Sequence, residues 1–257
     1  MSRNKPNATL ALRLNKFVLR LSRNWLRIAL VILGFYISLP WLAPTLMKLG
    51  LTGPGMTIYT LYSPFCHQFA FRSFFLYGEQ PAYPRYNTGS PLTPFEAYAA
   101  QLPDFDPARV HPIGGRIGDI YSFTPGYQFA ARDFVGNQQM GYKLTLCERD
   151  ISIYIALFVG GLIYSHPQVR RRLRPVPIYL YVILGVLPIA LDGLSQMLGY
   201  PPFGLWPARE TLPIFRVVTG ALFGFMNAWL GFPYLEMSFI ETRQQVEAKL
   251  ARAGIYL

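Results

Sequence analysis

Long apolar stretches alternate with polar segments along this chain and predict four helices that cross a membrane. A membrane-spanning helix needs roughly 20 mostly apolar residues. The second stretch is short unless its helix begins before Cys147, whereas the other three have sufficient length. The predicted spans cover residues 28–47, 151–165, 176–198 and 213–235.

The basic first segment has a different pattern, in which apolar and basic side chains both recur at helical spacing. This pattern is typical of a helix that lies on a membrane surface with its bases toward anionic headgroups. We therefore expect an interfacial helix on the cytoplasmic leaflet; the alternative is a cytoplasmic helix packed on a protein partner. The apolar positions are Leu10, Leu14, Phe17, Leu21 and Trp25, and the lipid-facing bases are Arg13, Lys16, Arg20, Arg23 and Arg27.

Between the first two predicted spans the chain is aromatic but carries polar side chains. Residues 56–75 predict an interfacial or re-entrant helix. Residues 78–146 are rich in Pro, Gly, Tyr and Asp and predict a long loop. Loops of this length are usually functional or disordered, and the many aromatic residues disfavour disorder.

These elements together predict an all-α membrane protein. It has four transmembrane helices, an N-terminal amphipathic helix, an interfacial or re-entrant helix and a long extracytoplasmic loop. The expected units are a basic helix over 1–27, a membrane domain over 28–235 with an insertion over 82–145, and a cytoplasmic tail over 236–257.

Composition and charge support the membrane assignment and its orientation. Hydrophobic residues make up 52% of the chain and charged residues 14%, against about 25% charged in a soluble domain. The net charge of +11 is carried by residues 1–27 and 166–175, which contain no acid, so we expect no nucleic-acid partner. Basic short loops stay in the cytoplasm, which predicts an inner-membrane protein with both termini cytoplasmic and residues 50–150 extracytoplasmic.

The first residues of the chain also predict whether a signal peptide is removed. It is long and basic, and no small-residue cleavage site follows the first apolar stretch. We therefore expect no signal peptide to be removed.

Charged residues within predicted spans indicate a site, because burying charge in a membrane is costly. Asp192 and Arg216 lie near the outer ends of the third and fourth spans, and Arg149 lies at the outer start of the second. An Asp192–Arg216 pair across the hairpin is expected. We favour an ion-paired lock between helices over the alternative, in which Asp192, Arg149 and Arg216 are catalytic.

The two cysteines allow three interpretations. Cys66 and Cys147 both fall on the outer side, where an oxidising compartment permits a disulfide. Together with His67 and Asp150 they also form a candidate site for zinc or another metal, because all four side chains are competent zinc ligands. Free buried thiols are the third interpretation, and no spacing decides among the three.

Four motifs resemble, in order, those of an uncharacterised prokaryotic family of multi-pass membrane proteins, a domain of unknown function. They are FCHQFAFRSFFLYGEQP, CERDISIY, LDGLSQMLG and FRVVTGALFG, within residues 56–81 and 145–235. The resemblance implies no activity for this chain, because the function of the family is not established. By position it implies a polar cluster of Gln68, Arg72, Arg149, Asp192, Gln196, Arg216 and Thr219, together with Cys66, His67, Ser73 and Cys147.

Two departures from the family pattern favour a role other than catalysis. Asp150 stands where the family has its last cysteine, which removes a thiolate ligand. Residues 82–145 separate motifs that are normally close and add a surface for a partner. We therefore expect a non-catalytic subunit or scaffold that docks on other membrane protein subunits through this loop. The alternative is an extracytoplasmic metal-dependent enzyme acting on a lipid or headgroup.

Overall fold

A computed structural model describes residues 5–200 and 202–255 and consists mainly of helices. These are α1 (Lys5–Lys48), α2 (Thr52–Tyr62), α3 (Phe95–Ala99), α4 (Pro125–Asp133), α5 (Glu148–Ser165), α6 (Pro167–Arg172), α7 (Ile178–Leu180), α8 (Leu187–Gly199) and α9 (Pro213–Arg252). A π-helical turn, Tyr181–Val186, joins α7 to α8. The short strands are β1 (Phe75–Leu76), β2 (Val110–His111), β3 (Gly115–Arg116), β4 (Gly136–Asn137) and β5 (Gly141–Lys143).

Three of the described helical stretches are long and apolar enough to cross a membrane. They are Leu10–Lys48, Ile178–Gly199 and Pro213–Arg252. Helix α5, at the second predicted span, has 18 residues and carries three charges in its first turn (Glu148, Arg149 and Asp150). The membrane-protein assignment therefore holds, while the count of four spans stays a prediction.

Helix α1 corrects the predicted boundary at residue 27, because it continues unbroken from Lys5 to Lys48. No proline lies between Pro6 and Pro40, and the first glycine is Gly34, so nothing in the sequence breaks the helix there. At 1.5 Å per residue, α1 is about 66 Å long, roughly twice the thickness of a hydrocarbon core.

The first half of α1 packs on the C-terminal half of α9. The arginines of residues 170–174 lie at this end of the helix bundle, which we call the basic end. The indole of Trp25 donates to Glu236 Oε2 at 2.8 Å, and Arg170 Nη2 donates to the same oxygen at 2.6 Å. Within the predicted tail, residues 236–257, the part up to Arg252 is thus a helical continuation of α9 that contacts α1. Around Trp25, the segment predicted to lie on lipid therefore packs on another helix of the same chain.

Helices α5 and α9 pack closely because small residues line their contact. A Cβ added at Gly220 would lie 2.6 Å from the carbonyl oxygen of Arg149, and one at Gly224 would lie 2.3 Å from that of Ile153. Small residues at a helix–helix contact allow the backbones of two membrane helices to approach each other closely. This approach holds the start of α5 beside the start of α9.

Helix α2 folds back along the last turns of α1. Gly55 lies against Met47, and the hydroxyl of Tyr62 donates to the carbonyl of Tyr36. Helix α2, which covers the first part of the predicted segment 56–75, therefore lies beside α1, and its interfacial or re-entrant placement stays a prediction.

The predicted long loop is a folded unit, residues 69–146, which we call the cap domain. Its core is mainly aromatic and includes Phe69, Phe71 and Phe75, which precede the predicted insertion boundary at residue 82. An antiparallel sheet in the order β1-β5-β4 pairs Phe75 with Lys143, and β2 forms a hairpin with β3. The strands correct the all-α prediction; they form because non-local pairing closes the ends of this segment.

The buried Lys143 attaches the chain around Cys66 to the cap domain. Its ammonium group donates to the carbonyl oxygens of Gln68 and Arg132, at 2.5 Å each. Burial lowers the pKa of Lys143 to about 7. The bundle end that carries the cap domain, where α5 begins, is called the cap end below.

We predict that Gly224→Ala destabilises the protein, because the added methyl group would force α5 and α9 apart. The expected loss is about 1–3 kcal/mol, the usual cost of overpacking. Thermal unfolding in detergent measures it. Gly231→Ala is the matched control, since nothing lies within 4 Å of a Cβ there. An equal effect of both changes would contradict the close α5–α9 contact.

Candidate functional site

A buried carboxylate at the cap end, that of Glu210, accepts hydrogen bonds from four side chains. Arg72 donates from Nε at 3.1 Å and from Nη2 at 2.5 Å, and the hydroxyl of Tyr200 donates at 2.7 Å. Gln196 and Arg216 donate to Glu210 Oε2, which also accepts from Arg72 Nε, whereas Arg72 Nη2 and Tyr200 donate to Oε1. The side chain of Glu210 is 1% exposed. One carboxylate thus joins the cap domain to α8 and α9.

The two arginines determine the ionisation of Glu210. Burial by itself would raise the pKa of this carboxyl group. The charges of Arg72 and Arg216, with the hydrogen bonds from Arg72 and Tyr200, outweigh burial and lower the pKa to about 2. The group is therefore a fixed anion at physiological pH and is unsuited to accept a proton.

A second buried carboxylate, that of Glu148, shares Arg216 with Glu210. Arg216 Nη1 lies 3.5 Å from Glu148 Oε2, and Glu148 Oε1 has no hydrogen-bond partner among the described residues. Burial raises the pKa of Glu148 to about 7. Glu148 is therefore the carboxylate of this site that can change its protonation near neutral pH.

Asp192 pairs with Arg149 on α5. The hydroxyl of Thr211 donates to Asp192 Oδ1 at 2.6 Å, and Arg209 Nη2 lies 3.9 Å from the same oxygen. The Asp192–Arg216 pair expected from the sequence is not formed. Asp192 is instead directed toward the start of α5, and the loop between α8 and α9 brings Glu210 to Arg216.

Three of the four predicted metal ligands lie together. The ligand atoms of Cys66, Cys147 and Asp150 all lie within 4.8 Å of one another. The Sγ atoms are 2.7 Å apart, and Cys66 Sγ also accepts the backbone N–H of Cys147 at 3.2 Å. The contact between the sulfurs raises the pKa of Cys66 and lowers the pKa of Cys147. His67 is exposed, and its ring lies 5.4 Å from that of Phe69.

Two members of the predicted polar cluster lie apart from Glu210. Gln68 donates to the carbonyl of Tyr59 at 2.9 Å and has a positive φ of 55°. Thr219 donates to the carbonyl of Phe215, one turn earlier in α9, at 2.8 Å. The other five members, Arg72, Arg149, Asp192, Gln196 and Arg216, take part in the ion-pair networks at the cap end.

Sequence reasoning missed Glu210, Glu148 and Tyr200, which lie at the centre of the site. A signal was available for the acids, because buried arginines need counter-charges and the chain has only 13 acidic residues. Glu210 lies six residues before Arg216, and Glu148 lies one residue before Arg149.

A known protein family matches the part of the chain that carries most of this site. Residues 135–230 match the family described as predicted membrane protein (DUF2085). This part of the chain is similar to that uncharacterised membrane-protein family. The resemblance predicted from the sequence is confirmed at the level of the family. The DUF2085 match contains the second, third and fourth motifs; the motif that begins with FCHQ lies outside it.

A relative extends the comparison but brings no function. The chain is similar to an uncharacterized protein of Methanocaldococcus jannaschii, with 29% identity over 100 residues. The matched part is 38% of this chain and spans 58% of that relative. No solved structure matches the chain.

We predict that Glu210→Gln strongly destabilises the protein, because it leaves two arginines without their buried counter-charge. Removing one partner of a buried ion pair costs about 3–5 kcal/mol. Denaturant unfolding in detergent measures the loss. The control is Glu241→Gln, an exposed glutamate on α9, for which a change within about 0.5 kcal/mol is expected. A small effect at Glu210 would show that the network is not structural.

Glu148 predicts a pH dependence of stability. Its pKa in the folded protein, about 7, exceeds the ordinary value of 4.5, so the folded state binds more protons between these values. The free energy of unfolding should therefore fall as the pH rises from about 4.5 to about 7. Glu210 has a lowered pKa, so its stabilising effect is constant above about pH 4.5 and is lost only as the pH falls below that value.

The melting temperature between pH 5 and pH 7 checks the prediction for Glu148. Above this range Lys143, whose pKa is lowered to about 7, makes the free energy of unfolding rise with pH. Glu148→Gln should flatten the profile between pH 5 and pH 7, because the amide does not titrate. An unchanged slope in the variant would assign the pH dependence to another group.

Proposed function

We propose that the chain is a non-catalytic integral membrane subunit or scaffold that docks on a larger membrane complex through the cap domain. The ion pairs at the cap end support the non-catalytic part. Asp192 is paired with Arg149, and Glu210 is a fixed anion held by two arginines. A general base must be free to accept a proton, so these pairs suit a lock between helices.

The observation that carries the docking proposal is the exposed tip of the β2–β3 hairpin. Val110 is 66% exposed and Ile113 is 73% exposed. Polar pairs flank this tip: His111 Nε2 lies 3.0 Å from Asp133, and Arg109 pairs with Asp104. Apolar side chains surrounded by polar groups are typical of protein interfaces, and the expected partner offers an apolar recess.

The orientation belongs to the same proposal. The cap end and the basic end lie at opposite ends of the bundle. Arg216 and Glu236 are twenty residues apart on α9, which is about 30 Å, the thickness of a hydrocarbon core. With the basic end in the cytoplasm of an inner-membrane protein, the cap domain is extracytoplasmic.

The first turns of α1 complete the proposed placement. Leu10, Leu14 and Phe17 are exposed, and Arg13 and Arg20 are exposed beside them. Exposed apolar side chains next to bases suit the anionic cytoplasmic leaflet. We expect this part of α1 to bind lipid, while residues near Trp25 pack on α9.

The docking proposal predicts that the paired change Val110→Ser and Ile113→Ser releases the chain from its complex. Native electrophoresis of membranes solubilised in mild detergent should show wild type in a larger assembly and the variant as a smaller species. The matched control is Leu49→Ser with Leu51→Ser, because these side chains are also exposed but lie outside the cap domain. A wild-type chain that runs alone as a monomer would overturn the proposal.

A second candidate, a metal-dependent enzyme acting on a lipid or headgroup, is favoured by the group of Cys66, Cys147 and Asp150. The sulfurs would have to separate from 2.7 Å, since two zinc–sulfur bonds of about 2.3 Å in a tetrahedron need a wider spacing. Measuring the zinc and iron content of the reduced protein tests this candidate. Absence of stoichiometric zinc or iron removes this candidate.

A further inference from the structure

A cavity of about 800 Å³ lies between the cap domain and the end of α8. The cap domain contributes residues 122–125 and Gln128 to its wall, and α8 contributes Gly193, Gln196 and Met197. Neither cysteine lines this cavity, and Asp150 does not line it either. It is therefore a space that the ion-pair lock does not fill.

The charge of the cavity wall is one-sided. Its lining includes His67, Arg72 and Arg149 and no acidic residue. Hydroxyl and amide groups complete the polar part of the wall, and these belong to Ser122, Thr124, Gln128, Gln196 and Tyr200. The three hydroxyl groups already donate to protein oxygens, whereas Gln128 and Gln196 each use one amide hydrogen within the protein and keep the other. Amide donors beside guanidinium groups are the chemistry that binds a phosphate.

Both arginines keep donors that their carboxylate partners do not use. Arg72 binds Glu210 through Nε and Nη2, which leaves Nη1. Arg149 binds Asp192 through Nη2, and its buried Nε has no hydrogen-bond partner among the described residues. Because Arg149 Nε is enclosed by protein, the donors open to an anion in the cavity are the Nη1 groups of the two arginines.

The mouth of the cavity is apolar and continues onto the surface of α8. Met197 and Phe203, both in the wall, are 50% and 53% exposed. From Met197 a row of exposed side chains follows one face of the helix: Leu194, Leu191 and Leu187. The spacing of three or four residues makes this row continuous along the membrane-spanning stretch. A ligand with a polar head and an apolar tail matches this arrangement.

We propose that this cavity binds the phosphate headgroup of an anionic membrane lipid, with the acyl chains along the leucine row of α8. The proposal is independent of docking through the β2–β3 hairpin, because the two surfaces share no residue. It also differs from lipid binding by the first turns of α1, which lie at the basic end.

Native mass spectrometry of the detergent-solubilised protein tests the proposal with three probes: phosphatidylglycerol, zwitterionic phosphatidylcholine and inorganic phosphate. We expect phosphatidylglycerol to be retained in preference to phosphatidylcholine. Retention of neither lipid, or equal retention of both, would overturn the proposal. Binding of inorganic phosphate without any retained lipid would overturn the lipid as the ligand and assign the site to free phosphate.

A matched pair of variants at the mouth locates the bound lipid. Phe203→Glu places a negative charge at the cavity, whereas Phe203→Gln makes a similar change of polarity without charge. Like charges brought together cost several kcal/mol, so we expect Phe203→Glu to lower phosphatidylglycerol retention at least about tenfold relative to Phe203→Gln. Equal retention by the two variants would place the lipid elsewhere. Because Phe203 is half-exposed, both should fold, and their melting temperatures check this.

Discussion

The pairing of one buried carboxylate with two arginines underlies the arrangement of the cap end. Glu210 lies in the loop between α8 and α9, and its partners Arg72 and Arg216 belong to the cap domain and to α9. A buried charge without a partner costs several kcal/mol, so these elements can meet only where the charges are matched. The cap domain is thereby held on the bundle at a defined position, and the cavity beside Arg72 is a consequence of that position.

The small-residue contact between α5 and α9 has a comparable role within the bundle. Because Gly220 and Gly224 allow backbone approach, the first turn of α5 lies beside the first turn of α9, and Glu148 reaches Arg216. At the other end, Glu236 accepts from Trp25 and Arg170. Two polar layers thus bound an apolar belt about as thick as a bilayer core.

The family match covers only part of this architecture. The DUF2085 match begins at residue 135 and continues through most of the bundle to residue 230. Residues 82–134, which form most of the cap domain, lie outside the match. The proposed docking hairpin therefore belongs to the part of the chain outside the family match, whereas the cap-end ion pairs lie largely within it.

The sequence by itself determined that this is a membrane protein, because spans of apolar residues are local and can be counted. It also indicated Arg149, Asp192, Gln196 and Arg216, because polar side chains in or next to an apolar stretch are conspicuous. Only the tertiary structure decided which charges pair, since Glu210 and Glu148 lie in polar surroundings along the chain and become buried through contacts between distant segments. The cap domain was likewise hidden, because its aromatic core and short strands arise from pairing between residues far apart, such as Phe75 and Lys143. Local periodicity does not record such pairing.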